Sequence, residues 1–189
     1  MTRRIPVIPT IIVAAAVATM IGLGIWQLGR RAEKEALIAR YEAALGDTAL
    51  VPWPKPADYE RDLFRRTTIN CLAVRGIDPI SGKSANGRAG WVHVARCSHE
   101  GGGVADVTIG WSRSSDSPQW NGGPVTGRIA NYGDNVRLVA ETPQAGLEAL
   151  ASPDPADLPN NHLAYAGQWF FFALTALVIY VLALRRRGR

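Results

Sequence analysis

Acidic side chains are missing from both ends of this 189-residue chain: none precedes Glu33 and none follows Asp157. The net charge of +5 therefore comes from the ends, from Arg3 and Arg4 at one and from Arg185, Arg186, Arg187 and Arg189 at the other, while the stretch between is close to balanced. A basic chain invites a nucleic-acid reading, and this distribution removes it, because no basic patch falls within the folded middle. Also absent are a phosphate-cradling glycine loop, a paired CxxC and a Gly-x-Ser-x-Gly elbow, which leaves soluble enzyme chemistry without support and predicts a protein that is not an enzyme. Gly101-Gly102-Gly103 precedes no helix and reads as a flexible hairpin tip.

What the chain does have is two uncharged apolar runs, Val7 to Leu28 and Leu163 to Leu184. Each is about 22 residues long, and at about 1.5 Å per residue a helix of that length crosses a hydrocarbon core of roughly 30 Å. Two transmembrane helices follow, with cytoplasmic basic tails at 1–6 and 185–189, spans at 7–28 and 162–184, and the middle segment on the far side. Arg30, Arg31 and Lys34 stand on that far side, interleaved with Glu33 and Glu35, and the C-terminal arginines decide the orientation. Ala16-Val17-Ala18 offers a signal-peptide cleavage pattern, but the apolar run continues unbroken to Trp26, an aromatic anchor at the far interface, so a retained anchor is expected.

The helical pattern of the first span extends to about Leu45, since Leu37, Tyr41 and Leu45 share a face and Gly46-Asp47 supplies a stop. Small residues at Ala14, Ala18 and Gly22 make one face of this span smooth enough for another helix to approach. Ala166, Ala173, Ala176 and Ala183 form a similar seam on the second span, although alanine is common in membrane helices for other reasons. Prolines at 52, 54 and 56 predict an extended linker. Five strands follow, at 67–75, 91–97, 104–111, 125–130 and 136–140. In the third, Ala105, Val107, Ile109 and Trp111 alternate with Asp106, Thr108 and Gly110. A hairpin turn is expected at 131–135, and Thr142-Pro143 predicts a short helix over 142–151. Asn160 and Asn161 cap the second membrane helix. The fold class is a membrane protein with two transmembrane α-helices flanking a mainly antiparallel β (α+β) extracytoplasmic domain at 46–161.

Cys71 and Cys97 are the only cysteines. They could form a disulfide, be two buried small hydrophobes, or join His93 and His99 in a soft-metal site, since His93, Cys97 and His99 share strand parity. His162 sits where the second span enters the membrane, with Tyr165 and Trp169 on the same helical face. An imidazole there can ligate a haem iron, with aromatic side chains and an arginine flanking the macrocycle and its propionates. It can equally be an interfacial histidine satisfied by headgroups and water.

Three stretches carry a resemblance: Gly22-Leu23-Gly24-Ile25-Trp26-Gln27-Leu28-Gly29-Arg30 with Lys34, then Asn160-Asn161-His162-Leu163-Ala164-Tyr165-Ala166-Gly167-Gln168-Trp169-Phe170, and between them the pairs Gly110-Trp111 and Gly127-Arg128. Together they resemble the surfeit-locus family of cytochrome c oxidase assembly proteins. The resemblance implies an assembly factor of the bacterial inner membrane that binds haem a transiently and helps its insertion into the catalytic subunit of a haem-copper oxidase. It implies His162 as the axial ligand of the haem iron, in a site between the helices formed with Trp26, Gln27, Arg30, Tyr165 and Trp169. Its partners would be that catalytic subunit, the haem a synthesis machinery and membrane lipid, with no nucleic acid. Two other readings remain open: a cofactor-free scaffold stabilising an oxidase assembly intermediate through its helix seams, and a metal handler using Cys71, Cys97 and His93.

Overall fold

Neither end of the chain can begin or finish in water without exposing a long apolar surface, and in the structure neither avoids it. The structure is a computed structural model that describes residues 6–186; Arg3, Arg4, Arg187 and Arg189, and with them most of both basic tails, lie outside the described residues. Two compact units result, one made of the chain's two ends, the other of Ala39–Asp157.

The first unit is a helix pair. Helix α1, Val7–Gly46, runs 40 residues without a break, and α3 spans His162–Arg186. Both are long and apolar enough to cross a membrane. Large apolar side chains such as Ile8, Ile12, Ile25, Phe171, Leu174 and Ile179 stand on their outer surfaces, which lipid accepts and water does not. Beyond the apolar stretch α1 is held by ion pairs one turn apart, Arg30 with Glu33 and Arg31 with Glu35. The helices are antiparallel: Thr10 shares a hydrogen bond with Tyr180 at one end, and Gln27 with His162 at the other. In the apolar stretch of α1 the residues turned from the surface are Thr10, Val13, Val17, Met20, Leu23, Gly24 and Gln27, and in α3 they are His162, Ala166, Trp169, Ala173, Thr175, Ala176, Tyr180 and Leu184. Both sets follow steps of three and four along one face, the spacing of a packed helix pair.

The contact with α3 does not use the small-residue face of α1. The Ala14, Ala18, Gly22 face of α1 is exposed, and a Cβ added to Gly22 would meet nothing within 4 Å. The close approach is made instead at Gly24, whose missing side chain leaves room for the ring of Phe170. Ala166 and Ala173 do lie in the contact, whereas Ala183 is exposed. Steps of four alone drift off a partner that a 3.5-residue period keeps in register.

The second unit is a β-barrel. Its strands are β1 (Leu50–Val51), β2 (Arg66–Lys83), β3 (Ala89–His99), β4 (Val104–Ser112), β5 (Gly123–Tyr132) and β6 (Asn135–Ala140), with a helical turn α2 (Tyr59–Asp62) before β2. The order is β1-β2-β3-β4-β6-β5, and β2 also pairs with β5, which closes five strands into a ring. Closure depends on the 18 residues of β2: its first part, Arg66 to Cys71, pairs with β5, and the rest with β3. Register shifts between Cys71 and Ala73 and between Val74 and Gly76 bend the strand where it changes partner. All ladders of the ring are antiparallel except β4 with β6, the arrangement of a five-stranded Greek-key barrel of the OB type. Ile69, Val107, Ile109, Val125 and Leu138 fill the interior. Each expected strand lies within an observed one. The extension of β2 past Arg75 was not evident from the sequence, because Pro79 discourages a strand; it is tolerated where β2 is paired on one side only.

Three expectations fail here. No helix forms over 142–151. Ala145 and Gly146 adopt positive φ, and the segment lies along the edge of β4 that β6 leaves free, with Glu148 and Trp111 exchanging backbone hydrogen bonds of 2.9 Å. A strand edge offers those amides partners at once, whereas a helix of ten residues containing a glycine must first overcome nucleation. The proline segment is not a free linker either, since Trp53 packs on the barrel core and Pro56–Asp58 makes a 3₁₀ turn. Finally, a bulge opposite His93 and Val94 separates Trp111 from Ile109: Trp111 packs with Val92 and Val94 instead of in the interior.

Cys71 and Cys97 are disulfide-bonded across neighbouring strands, with Cα atoms 5.2 Å apart and a sequence separation of 26. Loop-closure entropy for such a span is worth about 3 kcal/mol, so Cys71→Ser or reduction should lower barrel stability by roughly that amount, read as a drop in the denaturant midpoint. A second test concerns acid. Arg66 grips Glu141 with two hydrogen bonds of 2.8 Å, and this contact holds the Glu141 carboxyl below its ordinary value of 4.5. A depressed carboxyl stabilises the fold above its unfolded pKa and loses that contribution as pH falls through the folded one. The stability of Glu141→Gln should therefore be lower than wild type at pH 7 and converge with it below pH 4.5, as measured by thermal unfolding.

Candidate functional site

The helix pair brings two polar side chains together at the end where α3 begins. Asn161 is the last residue before α3, its carbonyl accepting from the Tyr165 N–H, and this places His162 on the first turn. Gln27 lies on the contact face of α1, one turn from Gly24. His162 Nδ1 is 2.7 Å from Gln27 Oε1. A carbonyl oxygen only accepts, so Nδ1 carries the proton and the Nε2 lone pair is left for another partner; Nε2 makes no hydrogen bond among the described residues. This is how proteins prepare a histidine as a metal ligand, with one ring nitrogen anchored so that the other is aimed. Beside it, Asn160 Oδ1 is buried without a hydrogen-bond partner among the described residues.

The other expected site residues are placed less centrally. Tyr165 is 51% exposed and Trp26 56%, so both stand on the outer surface of the pair. Trp169 is half-buried, edge-on to Phe172 with ring centroids 6.3 Å apart. The Arg30 guanidinium is taken up by Glu33. Among these residues the direct contact is Gln27 with His162. At Gly24 the ring of Phe170 takes the place a side chain would fill. Cysteine chemistry is excluded by the disulfide, which leaves Cys71 and Cys97 no thiolate to offer a metal. His93 is fully buried, bonded through Nε2 to Ser112 Oγ at 2.9 Å.

A family model described as the SURF1 family matches residues 14–174. The chain belongs to this family. Its members are the surfeit-locus oxidase assembly proteins, associated with cytochrome c oxidase assembly. A comparison with curated proteins finds no match. The matched range takes in Gln27, His162 and the whole barrel, including the two middle pairs on which the sequence gives no role. Both turn out to be architectural. A Cβ on Gly110 would collide with Leu147, and one on Gly127 with the Val139 carbonyl. Arg128 caps the end of α1, donating to the carbonyls of Leu45 (2.7 Å), Phe64 (2.8 Å) and Ala44 (3.3 Å). Only its pairing with a glycine hinted at this; no spacing rule links Arg128 to a helix end 83 residues away.

Removing the Gln27 carbonyl should free the imidazole to exchange tautomers. In Gln27→Leu, ¹⁵N shifts of His162 are expected to move from a fixed Nδ1–H form towards an averaged value; unchanged shifts would mean that Gln27 does not set the tautomer.

Proposed function

We propose that this protein is a haem a chaperone for haem-copper oxidase biogenesis, holding the cofactor near the membrane interface and passing it to the catalytic subunit. The observation that carries this reading is the His162 imidazole with Nδ1–H given to Gln27 and Nε2 unengaged. That donor suits haem a, whose contribution here would be an iron open to axial coordination. His162 would be the axial ligand and Gln27 the group that keeps its ring oriented. Trp26, Tyr165 and Trp169 would present aromatic surface to the macrocycle, and Arg30 would reach a propionate by exchanging Glu33 for it. A carrier must release what it holds, and a single protein ligand on an exposed face favours a release rate that an acceptor can trigger.

The arginine-rich ends support a cytoplasmic location for both termini, and the disulfide supports an oxidising, periplasmic location for the barrel in a bacterial inner membrane. The haem a synthesis machinery would be the donor and the oxidase catalytic subunit the acceptor. A cofactor-free scaffold is the second reading, favoured by the exposed Ala14, Ala18, Gly22 face, which a partner's helix could approach closely.

Spectra separate the two. After co-expression with the enzymes that make haem a, the wild-type protein in detergent should show a haem a band in reduced-minus-oxidised spectra, and His162→Ala should lose it. Neither protein carrying haem while haem a is plainly being made would overturn the chaperone reading. The scaffold reading expects oxidase assembly to survive His162→Ala and to fail in Gly22→Leu.

A further inference from the structure

On the barrel's outer surface two guanidinium nitrogens and a hydroxyl are buried with no hydrogen-bond partner among the described residues. Residues of β4 and β6 alternate between the interior, filled by Val107, Ile109 and Leu138, and the outer face, where Thr108 and Arg137 point. The chain from Leu150 to Asp157 passes beside that face and borders a half-open cleft of about 300 Å³. Ile80, Val92, Val139 and Leu150 form its apolar walls, and Thr108 and Arg137 supply donors. Thr108 is 1% exposed. Its Oγ1, with Nε and NH1 of Arg137, is buried without a hydrogen-bond partner among the described residues.

Burying a guanidinium unpaired is costly, and a native fold retains such a group where something completes it. Its neighbours do not. Asp106 is beside Arg137 in the β4–β6 register but is turned to Arg96, with Nε to Oδ1 at 3.9 Å. Tyr132 offers its ring, 5.1 Å from the guanidinium carbon, which covers a face and leaves the N–H groups free. Desolvation accordingly pushes the pKa of Arg137 down from its usual range.

We propose that this cavity binds a small organic carboxylate, a monoanion with a short apolar body, whose oxygens accept from Arg137 and from Thr108. One guanidinium matches one negative charge, while Lys83 and Asp157, both on the lining, offset each other in charge. The apolar walls suit a hydrocarbon body and give a bare phosphate nothing to replace its water. The site is separate from His162, so its fate and that of the haem reading are independent.

The test is thermal unfolding of the full chain in detergent with hexanoate, with hexanamide as the uncharged control and inorganic phosphate as the alternative oxyanion. Hexanoate should raise Tm in a saturable way, with neither control doing so. Thr108→Val should weaken hexanoate about tenfold, as loss of a hydrogen bond to a charged group does, without lowering the unliganded Tm, since it deletes an unsatisfied hydroxyl. Arg137→Met should abolish the effect. No stabilisation by hexanoate, equal stabilisation by hexanamide or phosphate, or full hexanoate binding by Arg137→Met would each overturn the proposal. Should Arg137→Met fail to fold, an undiminished affinity in Thr108→Val would do the same.

Discussion

A polar group taken out of water must find a partner, and the pairings that result organise this protein from end to end. At the finish of α1, where the last carbonyls of a helix have no intrahelical donor, Arg128 reaches in from β5 and supplies them. In the helix pair, Thr10 with Tyr180 and Gln27 with His162 put polar contacts at the two ends of an otherwise apolar seam. On the edge of β4, the amides that β6 does not reach are met by the chain around Glu148.

The two units solve this problem for two different solvents. Helices α1 and α3 satisfy their backbone internally and so can turn Ile8, Ile25, Phe171 and Leu174 outward. The barrel satisfies its backbone by closing on itself through β2, and turns its apolar side chains inward. This chain is thus built from two apolar helices and a small closed barrel, and the last turns of α1, from Ala39 onward, belong to the barrel unit.

The sequence made legible whatever depends on neighbours along the chain. The two spans, the extension of α1 and the alternation of Ala105, Val107 and Ile109 all follow from local period and charge. Contacts between distant segments were harder to read. Which face of α1 meets α3 was not legible: Ala14, Ala18 and Gly22 permit a helix to approach, whereas the contact with α3 mixes Thr10, Met20 and Gln27 and is visible only once a partner is present. The fate of 142–151 was decided by the free edge of β4. At the candidate site, His162 is visible in the sequence as a candidate, but its contact with Gln27, 135 residues away, is not. Arg137, a single charge among Val136, Leu138, Val139 and Ala140, was a signal in plain view.

That 135-residue separation between His162 and Gln27 sets a clock on biogenesis. The first helix is complete early in synthesis, while its polar partner emerges almost last, after every strand of the barrel. Until then Gln27 has no imidazole to receive a proton from, and the seam of α1 is open to whatever apolar or polar groups the membrane or its insertion machinery offers. The contact between Gln27 and His162 therefore exists only on a chain made past every strand of the barrel.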